Sequence, residues 1–324
     1  MMKLENYCAK APFSQKHMLS LQDYTADEIC QILSLALELK QKQHAGIPHR
    51  LLEGKTLAMI FTKSSTRTRV SFETGMQQLG GHAMFLSSND IQIGRGEPIE
   101  DTARVMSRMV DCIMIRTFAH SDVETLAKYS SVPVINALTD YLHPCQVLAD
   151  LQTIYEHKGT LAGLKLAYIG DGNNMSHSLL LGCSKLGINV AVASLQGYMP
   201  DEKIVAFARS NAAQNGSSVL ITHDPSEAIA QADVVYGDVW ASMGQESEQK
   251  QREAVFASYQ VNKELFAKAK KDAIYMHCLP AHRGEEVTSD VIDSPASVIF
   301  DEAENRLHAQ KALMVLLMKG YENK

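Results

Sequence analysis

The chain has 324 residues, with 31 Lys and Arg against 37 Asp and Glu, a formal net charge of −6. Hydrophobic residues at 45% and charged residues at 21% supply enough apolar surface for a core, which excludes wholesale disorder. Mild acidity gives no electrostatic ground for nucleic acid or an anionic membrane as partner, and no apolar run approaches the roughly 20 residues that span a bilayer.

At about 150 residues per domain the length predicts two domains. The opening Met1-Met2-Lys3-Leu4-Glu5-Asn6-Tyr7 has neither the apolar stretch of a signal peptide nor the Arg-rich character of a transit peptide, and reads as cytoplasmic. Cys8, Cys30, Cys112, Cys145, Cys183 and Cys278 form no CxxC pair, so neither a zinc site nor a disulfide framework is expected. The twelve histidines form no HExxH. His277 and His282 have Pro280 between them, which spoils a shared helical face. The expectation is a metal-free protein.

Along the chain, short apolar runs alternate with helix-length stretches. Thr56 to Phe61, His82 to Leu86 and Cys112 to Ile115 read as buried strands, with Val132 to Ile135 a fourth weakened by Pro133. Between the first two lies Lys63-Ser64-Ser65-Thr66-Arg67-Thr68-Arg69, opening a helix with the apolar stripe Phe72, Met76 and Leu79 and closed by Gly80-Gly81. A solvated N-cap needs one hydroxyl. Here several hydroxyls are interleaved with two arginines at the positive end of a helix dipole, an arrangement that calls for a phosphate-like anion. Arg116 follows the third strand, where open α/β sheets bind ligands. His143-Pro144-Cys145-Gln146 opens a helix running to Gly159, with Leu148, Leu151, Gln152 and Tyr155 as its stripe. His143 alone would be a cap; in this company it could donate to an oxyanion, and Gln146 could bond a planar amide.

The pattern repeats in Leu164 to Ile169, Ile188 to Ala193, Ser218 to Thr222, Val234 to Tyr236 and Ile274 to Met276. Continuous apolar runs separated by helices predict parallel strands covered on both faces, giving an α/β fold of two doubly wound parallel-sheet domains joined by interdomain helices. Gly170-Asp171-Gly172-Asn173-Asn174-Met175 has Met175 where a dinucleotide fingerprint needs its third glycine, and no acidic residue closes the next strand. That disfavours a nicotinamide-binding protein, and the two asparagines suit a carboxylate or amino-acid backbone instead. Asp238-Val239-Trp240-Ala241-Ser242-Met243-Gly244, ahead of the polar run Gln245 to Arg252, reads equally as a mobile loop gripping an ammonium group or as an acidic turn with a buried Trp. In His277-Cys278-Leu279-Pro280-Ala281-His282-Arg283-Gly284 the thiol is either a nucleophile or packing, with no activating neighbour in sequence. Ala303 to Met318 is a last helix.

These motifs, with Gln92 and Glu304-Asn305-Arg306, stand in the order found in the aspartate/ornithine carbamoyltransferase family, which the chain resembles over its whole length. Ser-Met-Gly and His-Cys-Leu-Pro resemble the ornithine branch. The resemblance implies a carbamoyl-phosphate-binding domain over 1–148, on which helix 303–324 packs back, and an ornithine-binding domain over 149–302, with the active site in the cleft between them. It implies that Ser65, Thr66, Arg67 and Thr68 hold the phosphate and Arg306 completes the anion site. Arg116, His143 and Thr68 would contact the carbonyl oxygen, and Gln146 and the Leu279 carbonyl the carbamoyl amide. Asn174 would bind the carboxylate of L-ornithine, Asp238, Ser242 and Met243 its α-amino end, and Cys278 would lie beside its side-chain amine. Gln92 would reach the site of a neighbouring subunit, implying a homotrimer or an assembly of trimers. No metal or organic cofactor is implied. Putrescine, aspartate or an acylated ornithine are the alternative acceptors.

Overall fold

The computed structural model describes residues 3–5, 7–241 and 248–319. In chain order its strands are β1 (Thr56–Phe61), β2 (His82–Ser87), β3 (Cys112–Arg116), β4 (Val134–Leu138), β5 (Lys165–Ile169), β6 (Asn189–Ala193), β7 (Val219–Thr222), β8 (Val234–Gly237) and β9 (Ile274–His277). The helices are α1 (Ala26–His44), α2 (Thr66–Gln78), α3 (Ile99–Met106), α4 (His120–Tyr129), α5 (Pro144–Lys158), α6 (Asn174–Lys185), α7 (Glu202–Asn215), α8 (Pro225–Ile229), α9 (Gln249–Phe256), α10 (Lys263–Phe266), α11 (Ser289–Ile292) and α12 (Ile299–Lys319). Among the described residues no helix is long and apolar enough to cross a membrane.

The chain divides into two compact units, one of residues up to Gln152 together with those from Glu304 onward, the other Thr153–Ala303. The first holds a sheet in the order β2-β1-β3-β4 and the second a sheet in the order β7-β6-β5-β8-β9, every pairing parallel. The continuous apolar runs identify the central strands: β3 is buried throughout, as are β8 and β9. The same signal overstates the edges. Among the described residues β2 pairs only with β1 and leaves Met84 and Phe85 42% and 36% exposed, and β7, at the other sheet's margin, is only half-buried. An apolar run reports strand propensity and not the number of neighbours. The fourth strand also lies later than Val132 to Ile135. Pro133 has no N–H to give a ladder, so β4 starts at Val134, and its register against β3 slips between Ile115 and Arg116.

The predicted stripe of α2 is in place, with Phe72, Met76 and Leu79 fully buried. Gly81 follows it at a close approach, since a Cβ there would sit 2.8 Å from the Lys55 carbonyl. In α5 the burial exceeds a stripe: Val147 to Ile154 are all enclosed, including Asp150, Gln152 and Thr153. From Glu304 onward α12 belongs to the first unit, where Asn305 accepts from Lys40 at 2.9 Å and the enclosed Lys311 donates to Gln78 at 2.8 Å.

Candidate active site

In the first unit the strand order reverses between β1 and β3, and open parallel sheets bind ligands just beyond the strand ends at such a point. β1 leads through Lys63-Ser64-Ser65 into α2, and β3 ends on Arg116. Ser65 caps α2: its Oγ accepts from the Thr68 N–H at 3.2 Å and donates to Thr68 Oγ1 at 3.0 Å. Thr66 stands exposed at the helix start and Arg67 half-buried behind it. Arg306, on α12, donates to Thr68 Oγ1 at 3.4 Å and to Gln146 Oε1 at 2.7 Å. Gln146 in turn donates to Asp150 at 2.8 Å. One arginine thus ties together the starts of α2 and α5.

Arg116 and His143 are each 5% exposed. Burial, followed by the charges of Arg306, Arg116 and Arg67, drives the His143 imidazole well below its ordinary pKa, so the ring is neutral. Three guanidinium groups around a neutral imidazole leave the first unit's site strongly positive, beside the positive end of the α2 dipole. Arg69 departs from the reading of two arginines awaiting an anion: its Nε donates to Glu73 at 3.0 Å and its guanidinium lies 3.8 Å from the centre of the Phe85 ring. The next turn of the same helix neutralises it. Gln92 is exposed and opens a short 3₁₀ turn over Gln92–Arg95.

In the second unit the reversal falls between β5 and β8, and the motifs again sit at strand ends. The turn after β5 is fixed by Gly172, whose N–H donates to the Tyr198 carbonyl at 2.7 Å and whose Cβ, if it had one, would lie 2.3 Å from Pro200 N. Asn173 caps α6, accepting from the Met175 N–H at 2.9 Å, while its Nδ2 donates to Asp238 Oδ2 at 2.8 Å. Of the two asparagines, Asn173 is spent on structure, and Asn174 begins the helix. Asp238, just after β8, is 5% exposed; its Oδ1 accepts from the Val239 N–H at 2.9 Å and from the Cys278 thiol at 3.1 Å. Burial pushes the Asp238 carboxyl up. A thiol that donates to a carboxylate is held protonated, which argues against Cys278 as a nucleophile. Leu279 follows with a left-handed φ of 57°, a conformation uncommon outside glycine and over-represented at functional sites. Ser242 and Met243 lie outside the described residues.

Asp238, His277 and Cys278 each place a ligand-type atom within 4.8 Å of the others. Both nitrogens of His277 are engaged, Nδ1 by the Leu279 N–H at 2.9 Å and Nε2 by Glu286 at 3.2 Å. The group is therefore a hydrogen-bonded cluster, not a ready donor set for a metal. One buried ion pair left almost no signal in the sequence. Arg252, the end of what reads as a polar run, is buried, donating to Asp171 at 2.6 Å and to the Trp240 carbonyl at 2.9 Å. Only its i,i+4 spacing from Glu248, to which it donates at 2.9 Å, hinted at order there.

Residues 16–156 match the domain family described as aspartate/ornithine carbamoyltransferase, carbamoyl-P binding domain, and residues 162–317 match its Asp/Orn binding domain. The chain is 61% identical over 305 residues to the ornithine carbamoyltransferase of Pyrococcus abyssi, covering 94% of this chain and 96% of that protein. It is 60% identical over 305 residues to the anabolic ornithine carbamoyltransferase of Pyrococcus furiosus, covering 94% and 97%. The solved structure of the Pyrococcus furiosus enzyme superimposes with a TM-score of 0.93 at 59% identity, over 96% of this chain and all of that one. With both halves matched in order and the two sets of strand-end residues in place, the chain belongs to the aspartate/ornithine carbamoyltransferase family.

Proposed function

We propose that this enzyme transfers the carbamoyl group of carbamoyl phosphate to the side-chain amine of L-ornithine, giving L-citrulline and phosphate, in arginine biosynthesis or in reverse in arginine catabolism. The observation that carries the reading is the neutral, buried His143 ringed by Arg67, Arg116 and Arg306. Phosphate is held by the start of α2 through Ser65, Thr66, Arg67 and Thr68, with Arg306 tying that start to Gln146. The carbonyl oxygen faces Arg116 and His143. Because the imidazole is neutral, it donates a hydrogen bond without adding a fourth cation.

Ornithine is held by the second unit: its carboxylate by Asn174, its α-ammonium by Asp238 with Ser242 and Met243, its side-chain amine beside Cys278. A buried carboxylate whose pKa burial has raised gains most from a cationic partner, which is what a free α-amino acid brings. The uncharged amine attacks the carbamoyl carbon and a tetrahedral oxyanion forms against Arg116 and His143. A single donor of that kind is worth about 3–4 kcal/mol of barrier. Collapse expels phosphate, whose own oxygen takes the amine proton. The Leu279 carbonyl and Gln146 orient the carbamoyl amide, and neither a metal nor an organic cofactor takes part. We further propose a cytoplasmic homotrimer, or an assembly of trimers, in which Gln92 serves the site of a neighbouring subunit.

Colorimetric citrulline assay with ornithine, putrescine and aspartate offered in parallel tests the substrate assignment. Turnover confined to ornithine is expected; preference for putrescine would remove the role given to Asp238.

A further inference from the structure

Behind the Cys278-Leu279 segment lies a buried carboxylate that the reaction above does not use. Glu286 is 1% exposed, as is His277. Its Oε1 accepts from the His282 N–H at 2.6 Å and lies 3.2 Å from His277 Nε2. On the other side of the ring, Nδ1 is 2.9 Å from the Leu279 amide nitrogen. A backbone amide can only donate, so Nδ1 carries no proton and the ring hydrogen is on Nε2, aimed at Glu286. The His277 N–H is held in turn by Glu302 Oε2 at 2.9 Å, and Glu302 Oε1 accepts from Tyr236 at 3.0 Å.

Among the described residues Glu286 pairs with no lysine or arginine. A buried carboxylate without a cation is costly, and an apolar side chain would fill the volume more cheaply. What the carboxylate supplies is an acceptor that fixes one tautomer of one ring. That tautomer holds the Leu279 N–H, and with it a non-glycine residue at φ 57° directly after the thiol that bonds Asp238.

We infer that Glu286 is a positioning residue for ornithine: through His277 it holds the Cys278-Leu279 segment in the shape that presents the thiol to Asp238. This rests on the proposed function, since the segment matters to catalysis only if the amino acid binds there. Glu286→Gln keeps an acceptor oxygen for both donors, whereas Glu286→Ala removes it and Glu286→Met replaces it with apolar volume.

The full-length variants are to be compared by steady-state kinetics and by ¹⁵N spectra of histidine-labelled protein, which report ring tautomers without need of turnover. Expected are a single Nε2–H tautomer for His277 in the native protein and in Glu286→Gln, and mixed tautomers in Glu286→Ala. The ornithine KM should rise at least tenfold in Glu286→Ala, stay within threefold in Glu286→Gln, and leave carbamoyl phosphate affinity unchanged in both. In a His277→Asn background, where the ring is gone, Glu286→Ala should change the ornithine KM by less than twofold. Should the alanine variant fail to fold, Glu286→Met carries the same comparison. An unmoved tautomer, an unmoved ornithine KM, or fully additive effects in the double variant would overturn the inference. A native protein that makes no citrulline overturns the substrate reading instead, and the ring spectra still decide whether Glu286 sets His277.

Discussion

Arg252 and Asp171 form a buried ion pair, Nη1 to Oδ2 at 2.6 Å, joining α9 to the turn that follows β5. Burial pushes the Asp171 carboxyl up even with the guanidinium beside it; burial works to lower Arg252, and the contacts with Glu248 and Asp171 together outweigh it and raise the group. Removing one partner leaves the other buried and uncompensated, typically at about 3–5 kcal/mol. Arg252→Met should therefore lower the stability of the chain by about 3 kcal/mol in urea unfolding, and Arg252→Met with Asp171→Asn should recover part of it. A loss under about 0.5 kcal/mol, the range of an exposed pair, would show that the pair is not buried in solution.

Arg67 tests the first unit's site. Hydrogen bonds to charged groups contribute about 1.5–3 kcal/mol each, so Arg67→Ala should weaken carbamoyl phosphate binding by at least tenfold. Unfolding should be nearly unchanged, since Arg67 is half-exposed. Calorimetry that finds the affinity intact would remove the phosphate from the start of α2.

Asp238 tests the second. Asp238→Asn keeps the shape and discards the charge, and should raise the ornithine KM by one to two orders of magnitude, about 1.4–2.8 kcal/mol, while carbamoyl phosphate binds as before. Equal loss of both ligands would mean that the carboxylate organises the unit and does not recognise an ammonium.

Acid should destabilise the protein earlier than carboxylate titration alone would. Burial lowers His17 and His308 from 6.5 to about 4, and His143 falls well below its ordinary value for the same first cause. Each is a base depressed by folding. As the pH drops through about 6.5 the unfolded chain takes up protons that the folded chain refuses until about 4, and stability is lost across that window. Urea midpoints should fall steadily from pH 7 to pH 5, and His308→Gln should flatten part of the slope. A constant midpoint over that interval would contradict the burial of these rings.

What could be read from the residues, and what could not, divides along physical lines. Strand cores such as Cys112 to Ile115 and Val234 to Tyr236 were legible because full burial on both faces demands unbroken apolar runs. The clustering of Ser65, Thr66, Arg67 and Thr68 was legible because the helix start that needs them is local. The engagement of Arg69 was not: it is held by Glu73, one turn on, and by Phe85 on β2. Arg252 and Glu286 were illegible for a stronger reason. Their partners Asp171 and His277 are contributed by other segments, and a charged residue buried by its partner looks in sequence like any solvated one.

Gly172 sets a limit on how the turn after β5 can vary. Any side chain there must force apart two backbone segments, because Pro200 N and the Tyr198 carbonyl already stand within 2.5 Å of where the first carbon would go. Randomising the turn after β5 at this position will therefore return mostly broken proteins.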